Sequence, residues 1–358
     1  MSSVKRIKKQ LSPLCFLPDG RLVCYQYGHL LILKEDSFDS SYPLFSNKRE
    51  CWLGHSSMLY RLLRLGIRTA IAIDDTHLLL SIGNRVCEYD LASGVLSAGY
   101  DLGTVRPLVF TAIHNQPGFD NTIVFGSYLL NREKNPMHIY VRKGVDQWEK
   151  AYTFPKGVIN HIHQIIPDPY RKCVWVFTGD FDESAAIWKI TENFRHIERI
   201  ACNDQKYRAC VAYALPEGLL YATDAPYAEN YIYMLNPDTL EIRSLFPLDG
   251  SCIYGCQWGD HYVFSSTVEG DGRHLSPWQF LFSRAIGAGI KDHYAHLYVG
   301  NINSGFREIY REEKDIMPLY TFQFGVFKFP HGANLSQSLF FQPVATKQND
   351  LCLMSFQA

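Results

Sequence analysis

One order of short strand-like runs recurs along this chain, and it limits the available folds more than any other feature. An apolar run ends in an acidic or glycine turn; a second ends in small or polar residues; a third carries a tyrosine; a fourth closes the unit. The first strands read RTAIAIDD, LVFTAIHNQ, INHIHQIIPD, YRACVAYALPEG, IYGCQWGD and FQFGVFKFPHG. The second strands HLLLSIG, NTIVFGSY, KCVWVFTGD, GLLYATDA, HYVFSSTVEG and SLFFQPVA follow directly. Gly, Asp, Asn and Pro separate them, as strand boundaries require. The N-terminal LCFLPDGRLVCYQYGHLLILKE fits the same plan. About seven units of roughly 40–55 residues, with four strands each, are the pattern of a β-propeller. A lone four-stranded blade cannot bury both faces. Blades stacked around an axis can, which accounts for apolar residues at both strand parities.

The expected fold class is therefore all-β: a propeller of seven four-stranded antiparallel blades, or six if the first and last units merge. The last unit shows only three strands, so ring closure calls for an N-terminal strand as its fourth. No linker, low-complexity tract or change of composition interrupts residues 1–358, which read as one domain. Only HSSMLYRLLRLG, residues 55–66, reads as a short helix. Aromatic residues at 14%, with 22 Tyr and 22 Phe, favour strands.

The formal net charge of −1 gives no reason to expect a duplex nucleic acid as partner. No run of about 18 apolar residues occurs, so no membrane span is expected. The start MSSVKRIKKQLSPLCFLPDG is basic but lacks the apolar core of a secretory signal. Ten cysteines lie scattered, several inside apolar runs such as RLVCYQY and YRACVAY, where they read as buried thiols. Reduced thiols without a secretory signal point to the cytoplasm. Cys252 and Cys256 stand four apart without a second pair or matching histidines, which argues against a zinc site there. Phosphate-loop, dinucleotide, nucleophile-elbow and HExxH motifs are missing, as are WD40 and kelch signatures.

In a propeller, first strands begin and second strands end at one face of the disc. Residues at those places should line one mouth around the axis. First-strand starts supply Arg68, Arg106, His161, His163, Arg208 and Tyr254. Second-strand ends supply Tyr128, Asn131, Asp180, Asp182, Glu183, Asp224, Tyr227, Glu269, Arg273 and His274. Polar groups converging on an apolar scaffold are what a ligand site looks like, although polar surface loops are common everywhere. Strand alternation puts His161 and His163 on one face, with Cα atoms about 7 Å apart. That spacing suits two ligands of one divalent metal, an acid–base pair, two donors to one substrate, or a hydrogen-bonded channel lining. Asp180, Asp182 or Glu269 could supply a third metal ligand. Asp180 and Glu269 could also serve as the two carboxyl groups that glycoside hydrolysis needs. Arg68, Arg106 and Arg208 suit a carboxylate on the ligand, or salt bridges to neighbouring acids.

Residues 124–190 resemble a bacterial family of sialidase-like propellers, the BNR or Asp-box proteins. The matching residues are Gly126 and Tyr128, Trp148, His161 and His163, Asp168-Pro169-Tyr170, and Thr178-Gly179-Asp180. FSSTVEG with Glu269, and YTFQFGVFKFPHG, also look familial. Ser127 departs from the family pattern, which has a glutamate there. VRKGVDQW keeps Trp148 but has lost the Ser-x-Asp-x-Gly run of an Asp-box, which is a structural hairpin device.

The resemblance implies chemistry on sugars, often acidic ones. The expected function is a glycoside hydrolase or uronate-type lyase acting on an acidic oligo- or polysaccharide, in bacterial surface polysaccharide metabolism. Its expected catalytic residues are His161, His163, Asp180 and Glu269. Arg68, Arg106, Tyr128, Asn131, Asp182, Arg208, Asp224, Tyr227, Arg273 and His274 would bind substrate. The alternative is a non-catalytic propeller that binds a glycan or a protein. The sequence leaves the oligomeric state open.

Overall fold

The computed structural model describes residues 3–34, 37–44 and 48–357, the side chains of residues 39, 48–50 and 182 excepted. Its strands form seven antiparallel sheets. From the axis outward, blade one is Ser12–Phe16, Leu22–Gln26, His29–Lys34 and Ser37–Pro43. Blade two is Ile67–Ala72, His77–Ile82 and Arg85–Asp90, with its outer edge split into Val95–Leu96 and Tyr100–Asp101. Blade three is Thr111–Ile113, Thr122–Gly126, Met137–Gly144 and Gln147–Phe154. Blade four is His161–Asp168, Cys173–Gly179, Ala186–Thr191 and His196–Cys202. Blade five is Ala209–Leu215, Gly218–Thr223, Asn230–Leu235 and Ile242–Leu248. Blade six is Ser251–Trp258, His261–Thr267, Tyr294–Asn301 and Gly305–Glu313.

Blade seven contains Val326–Lys328, Ser338–Val344 and Leu353–Gln357, and takes its outer strand, Ser3–Lys8, from the N-terminal end. Ser3 pairs with Gln357 and Arg6 with Met354, so the ring closes as the three-stranded last unit requires. The blade count is seven.

Alternation along each strand builds the ring. In blade four, Val174 and Val176 pack toward blade three with Val124 and Ile139, while Trp175 and Phe177 pack toward blade five with Leu219 and Tyr221. In blade two, Leu78 and Leu80 join blade one's Val23 and Ile32, whereas Leu79 joins blade three's Phe125 and Tyr140. Each of the three remaining interfaces likewise has its own apolar cluster. A strand buried on both faces has no solvent side, so its sequence reads as a continuous apolar run.

The helix expected at 55–66 is Ser57–Leu62, capped by Ser56, whose side chain accepts from the Leu59 N–H. Lys48–Gly54, Pro277–Phe282 and Leu319–Phe322 are further short helices. All four lie on connections that enter a first strand or leave a second one, so they belong to the mouth face. No helix among the described residues is long and apolar enough to cross a membrane.

Candidate active site at the axial mouth

The first strands carry a repeated irregularity just inside the mouth. Their pairing register shifts between Ile162 and Gln164 in blade four, Ala209 and Val211 in blade five, and Cys252 and Tyr254 in blade six. A bulge there leaves His163, Cys210 and Ile253 without a ladder partner and re-aims their side chains. Counted from the bulge, Arg208 and Ser251 hold the place that His161 holds. Three neighbouring blades therefore deliver equivalent positions to one spot.

His161 and His163 meet there, with their Nε2 atoms 2.8 Å apart and both rings nearly fully buried. His161 Nδ1 lies 3.0 Å from the Leu129 carbonyl oxygen. A carbonyl can only accept, so Nδ1 carries a hydrogen and Nε2 points into the cluster. Tyr128 covers the pair, its ring centroid 4.4 Å from that of His161. Gly179 explains the Thr-Gly-Asp ending: a Cβ there would fall 2.3 Å from His163 Cε1, so only glycine leaves room for the ring. Burial lowers the His163 pKa, against the pull of Asp180.

Asp180 Oδ1 lies 3.1 Å from His161 Nε2, 3.6 Å from His163 Nε2 and 3.1 Å from Arg208 Nη2. Burial works to raise its pKa, but the two histidines and Arg208 outweigh that and hold the carboxyl far below the usual range. Arg208 also donates from Nη1 to the Asp180 carbonyl oxygen at 3.0 Å and reaches Asp224 Oδ2 at 3.3 Å. The Cys210 thiol donates to that same Asp224 oxygen at 3.3 Å, while Asp224 Oδ1 is buried without a partner. Glu269 completes this side, its Oε2 accepting from Ser251 Oγ at 2.7 Å. Burial, and next the negative charge of Asp224, push the Glu269 pKa up to about 8. At neutral pH Glu269 is therefore mostly protonated and able to donate.

The opposite side of the mouth is cationic. Arg68 lies within electrostatic reach of Arg64, Arg106, Tyr128 and Tyr254. Surrounding protein lowers its pKa; Tyr254 opposes this, and Arg106 and Arg64 add to it. All three arginines still reach solvent, that of a concave mouth, and none has a carboxylate partner among the described residues. Backbone bonds of 3.1 Å in both directions fix Arg106 beside Tyr128. Below the mouth, first strands line an axial channel of about 330 Å³ whose walls include Ile71, Phe110, Ile165, Val211 and Tyr254.

Some candidates stand apart from this centre. Both Asn131 amide hydrogens are taken, by the Asn135 carbonyl at 2.9 Å and the Asn160 carbonyl at 2.8 Å, so it braces a loop. Arg273 is exposed, bonds Asp271 and lies 3.9 Å over the ring of Tyr227, which is half-buried, stacks on Phe181 and stays within electrostatic reach of Glu269. His274 is exposed beside them, and Glu183 is exposed near Lys134. The Asp182 side chain lies outside the described residues. Ser127 is fully buried and accepts the His138 N–H at 3.0 Å, so blade three brings no carboxylate at that position. Asp168 is buried and ties its turn to Trp175 Nε1 at 2.8 Å, a scaffold role. The VRKGVDQW hairpin is intact, with Asp146 accepting from Ser97 at 2.7 Å and Trp148 packed on Phe125.

Fold and site together define a seven-bladed β-propeller with a charged axial mouth, acids and histidines facing arginines. No family model matches the chain, and no curated protein sequence does. Solved structures are similar in fold. The extracellular domain of BT4673 from B. thetaiotaomicron, named as a hybrid two-component system, superposes with a TM-score of 0.58 at 12% identity. All of this chain is covered in that comparison, but it spans only 40% of the BT4673 chain. The Cps50 (Swd1) propeller of Myceliophteria thermophila matches at a TM-score of 0.53 and 8% identity, covering 100% of this chain and 98% of that one. The AfRom2 CNH domain matches at 0.53 and 7%, covering 99% of each chain. At such identities the likeness extends to the fold alone.

Proposed function

We propose that the axial mouth binds an acidic glycan and cleaves it with Glu269 as proton donor. The carrying observation is the pairing of Glu269, held protonated near neutral pH, with Asp224, which is ion-paired to Arg208 and keeps one oxygen free. A proton-holding carboxyl near a second carboxyl that is paired to a guanidinium is an arrangement that acid–base glycoside hydrolysis can use. Glu269 would protonate the leaving oxygen, and Asp224 would activate water or attack. Arg68 and Arg106 would hold the sugar carboxylate across the mouth. The resemblance of residues 124–190 to sialidase-like propellers supports the same substrate class, as does the cytoplasmic setting expected from the free thiols for enzymes that remodel surface polysaccharide.

Asp180 has a changed part in this reading. Its Oδ1 lies 3.1 Å from both His161 Nε2 and Arg208 Nη2, so it organises the centre, and the second carboxyl role passes to Asp224. A second reading, β-elimination from a uronate, draws on the arginine cluster, which could neutralise the carboxylate while a base removes the C5 proton. Incubating wild type and Glu269→Gln with a panel of acidic oligosaccharides tests both. Hydrolysis yields saturated products, whereas elimination leaves a double bond seen by ultraviolet absorbance. Binding without turnover in wild type would leave only the non-catalytic propeller.

A further inference from the structure

His161 Nε2, His163 Nε2 and Asp180 Oδ1 form a triangle with edges of 2.8, 3.1 and 3.6 Å. For a triangle this small, a point just off its plane lies about 2.0 Å from all three atoms, the length of zinc bonds to imidazole nitrogen and carboxylate oxygen. Proton placement sharpens the case. With Nδ1–H committed to the Leu129 carbonyl, a neutral His161 presents a lone pair at Nε2, facing the Asp180 oxygen at 3.1 Å. Two acceptors at that distance need a shared hydrogen or cation beside them: a second proton on His161, the Nε2–H of His163 2.8 Å away, or a metal ion.

The surroundings favour the metal. A ligating histidine typically donates its other N–H to a backbone carbonyl or carboxylate, as His161 does. Arg208 on the Asp180 oxygen is the outer partner that a ligating carboxylate commonly has. His163, 2% exposed, departs from that habit: its Nδ1 has no partner, and its ring is held by packing against Gly179. Gly179 and the bulge at His163 are local departures whose shared effect is to seat this ring against Asp180.

We infer that His161, His163 and Asp180 bind one divalent transition-metal ion of the zinc type through these three atoms, with coordination positions left for water or a substrate oxygen. Two imidazoles and one carboxylate suit zinc and other borderline divalent ions better than calcium or magnesium, which prefer all-oxygen shells. His163, Cys210 and Asp224 form an adjoining trio, but the thiol is held protonated by burial and by Asp224, which makes it the poorer ligand. The assignment does not depend on the substrate proposed above.

The test is a titration of chelator-treated full-length protein, its fold checked by circular dichroism, with Zn²⁺ by calorimetry and with Co²⁺ by visible absorption. The expected result is one ion per chain and a Co²⁺ spectrum of low-symmetry nitrogen–oxygen coordination. Asp180→Asn and His161→Gln should each weaken Zn²⁺ binding at least about tenfold, while Arg68→Ala leaves it unchanged. Folded wild type that takes up neither ion would overturn the inference, whether or not it cleaves glycans. So would binding unaffected by Asp180→Asn and His161→Gln but lost in His296→Asn, which would move the ion to the outer cluster of Asp249, His296 and Glu308.

Discussion

His163 rests its imidazole on Gly179, the residue just before Asp180, in the space a side chain would otherwise fill. The strand that supplies the acid is thus shaped by the histidine it faces. Gly179→Ala must push the ring away or shift the strand, because the new Cβ would sit 2.3 Å from Cε1. We expect a loss of about 1–3 kcal/mol in unfolding free energy, typical of overpacking, measured by urea denaturation. Any activity at the mouth should fall with it. Unchanged stability would mean that the ring moves freely.

Glu269 gives the mouth a pH signature. Its folded pKa, about 8, lies above the ordinary 4.5, so the folded state keeps a proton that the unfolded chain releases. Stability from this group is present at low pH and is lost as pH rises from about 4.5 to about 8, then stays constant. Glu269→Gln keeps an oxygen to accept from Ser251 and removes the titration. From about pH 5 to about pH 8 the denaturation midpoint of the variant should therefore rise relative to that of wild type, a comparison in which titrations common to both, such as that of His331, cancel. On a cleavable glycan the same variant should lose about 10²–10⁴-fold in kcat.

Arg68 is expected to recognise charge. It reaches solvent and has no carboxylate partner among the described residues, so Arg68→Ala should leave the thermal midpoint nearly unchanged. For an acidic oligosaccharide, KM should rise about 10–100-fold, the worth of a charged hydrogen bond. A neutral analogue should show no such change. Equal losses on both substrates would place the anion elsewhere.

Acid should loosen the ring through His331. Its backbone N–H bonds the Leu14 carbonyl at 2.9 Å, and Nε2 lies 3.1 Å from Thr69 Oγ1, so it joins blade seven to blades one and two. Burial lowers its pKa to about 4 from 6.5. The unfolded chain takes up the proton first as pH falls, so stability drops from about pH 6.5 to about pH 4. The loss is at most about 3 kcal/mol, less where channel water reaches the ring. His331→Gln should flatten that acid limb in urea midpoints measured across the range.

The ring was legible because a doubly buried strand cannot alternate: Trp175, Val176 and Phe177 are all apolar, yet serve two interfaces. Much of the mouth was legible because topology alone brings the start of one strand and the end of the next to the same face, which places His161 beside Asp180 and Arg208 beside Asp224. Cys210 was hidden, since a thiol inside YRACVAY reads as core; its signal was its position two residues after Arg208, matching His163 after His161. Arg64 lies on a connection that no strand pattern marks, and Ser251 is too ordinary a residue to single out. The bracing role of the Asn131 amide was hidden because it depends on a loop conformation that follows the strand. Lys48–Gly54 and Pro277–Phe282 span under two turns or little more, too short for periodicity to reveal.

Diffraction from Glu269→Gln crystals soaked with an acidic oligosaccharide would show whether the mouth seats the ligand between Glu269 and the arginines. The sugar carboxylate is expected against Arg68 and Arg106, with a glycosidic oxygen within hydrogen-bond distance of residue 269. A glycan seated on the outer strands, or a carboxylate turned toward Asp224 and away from the arginines, would contradict that placement.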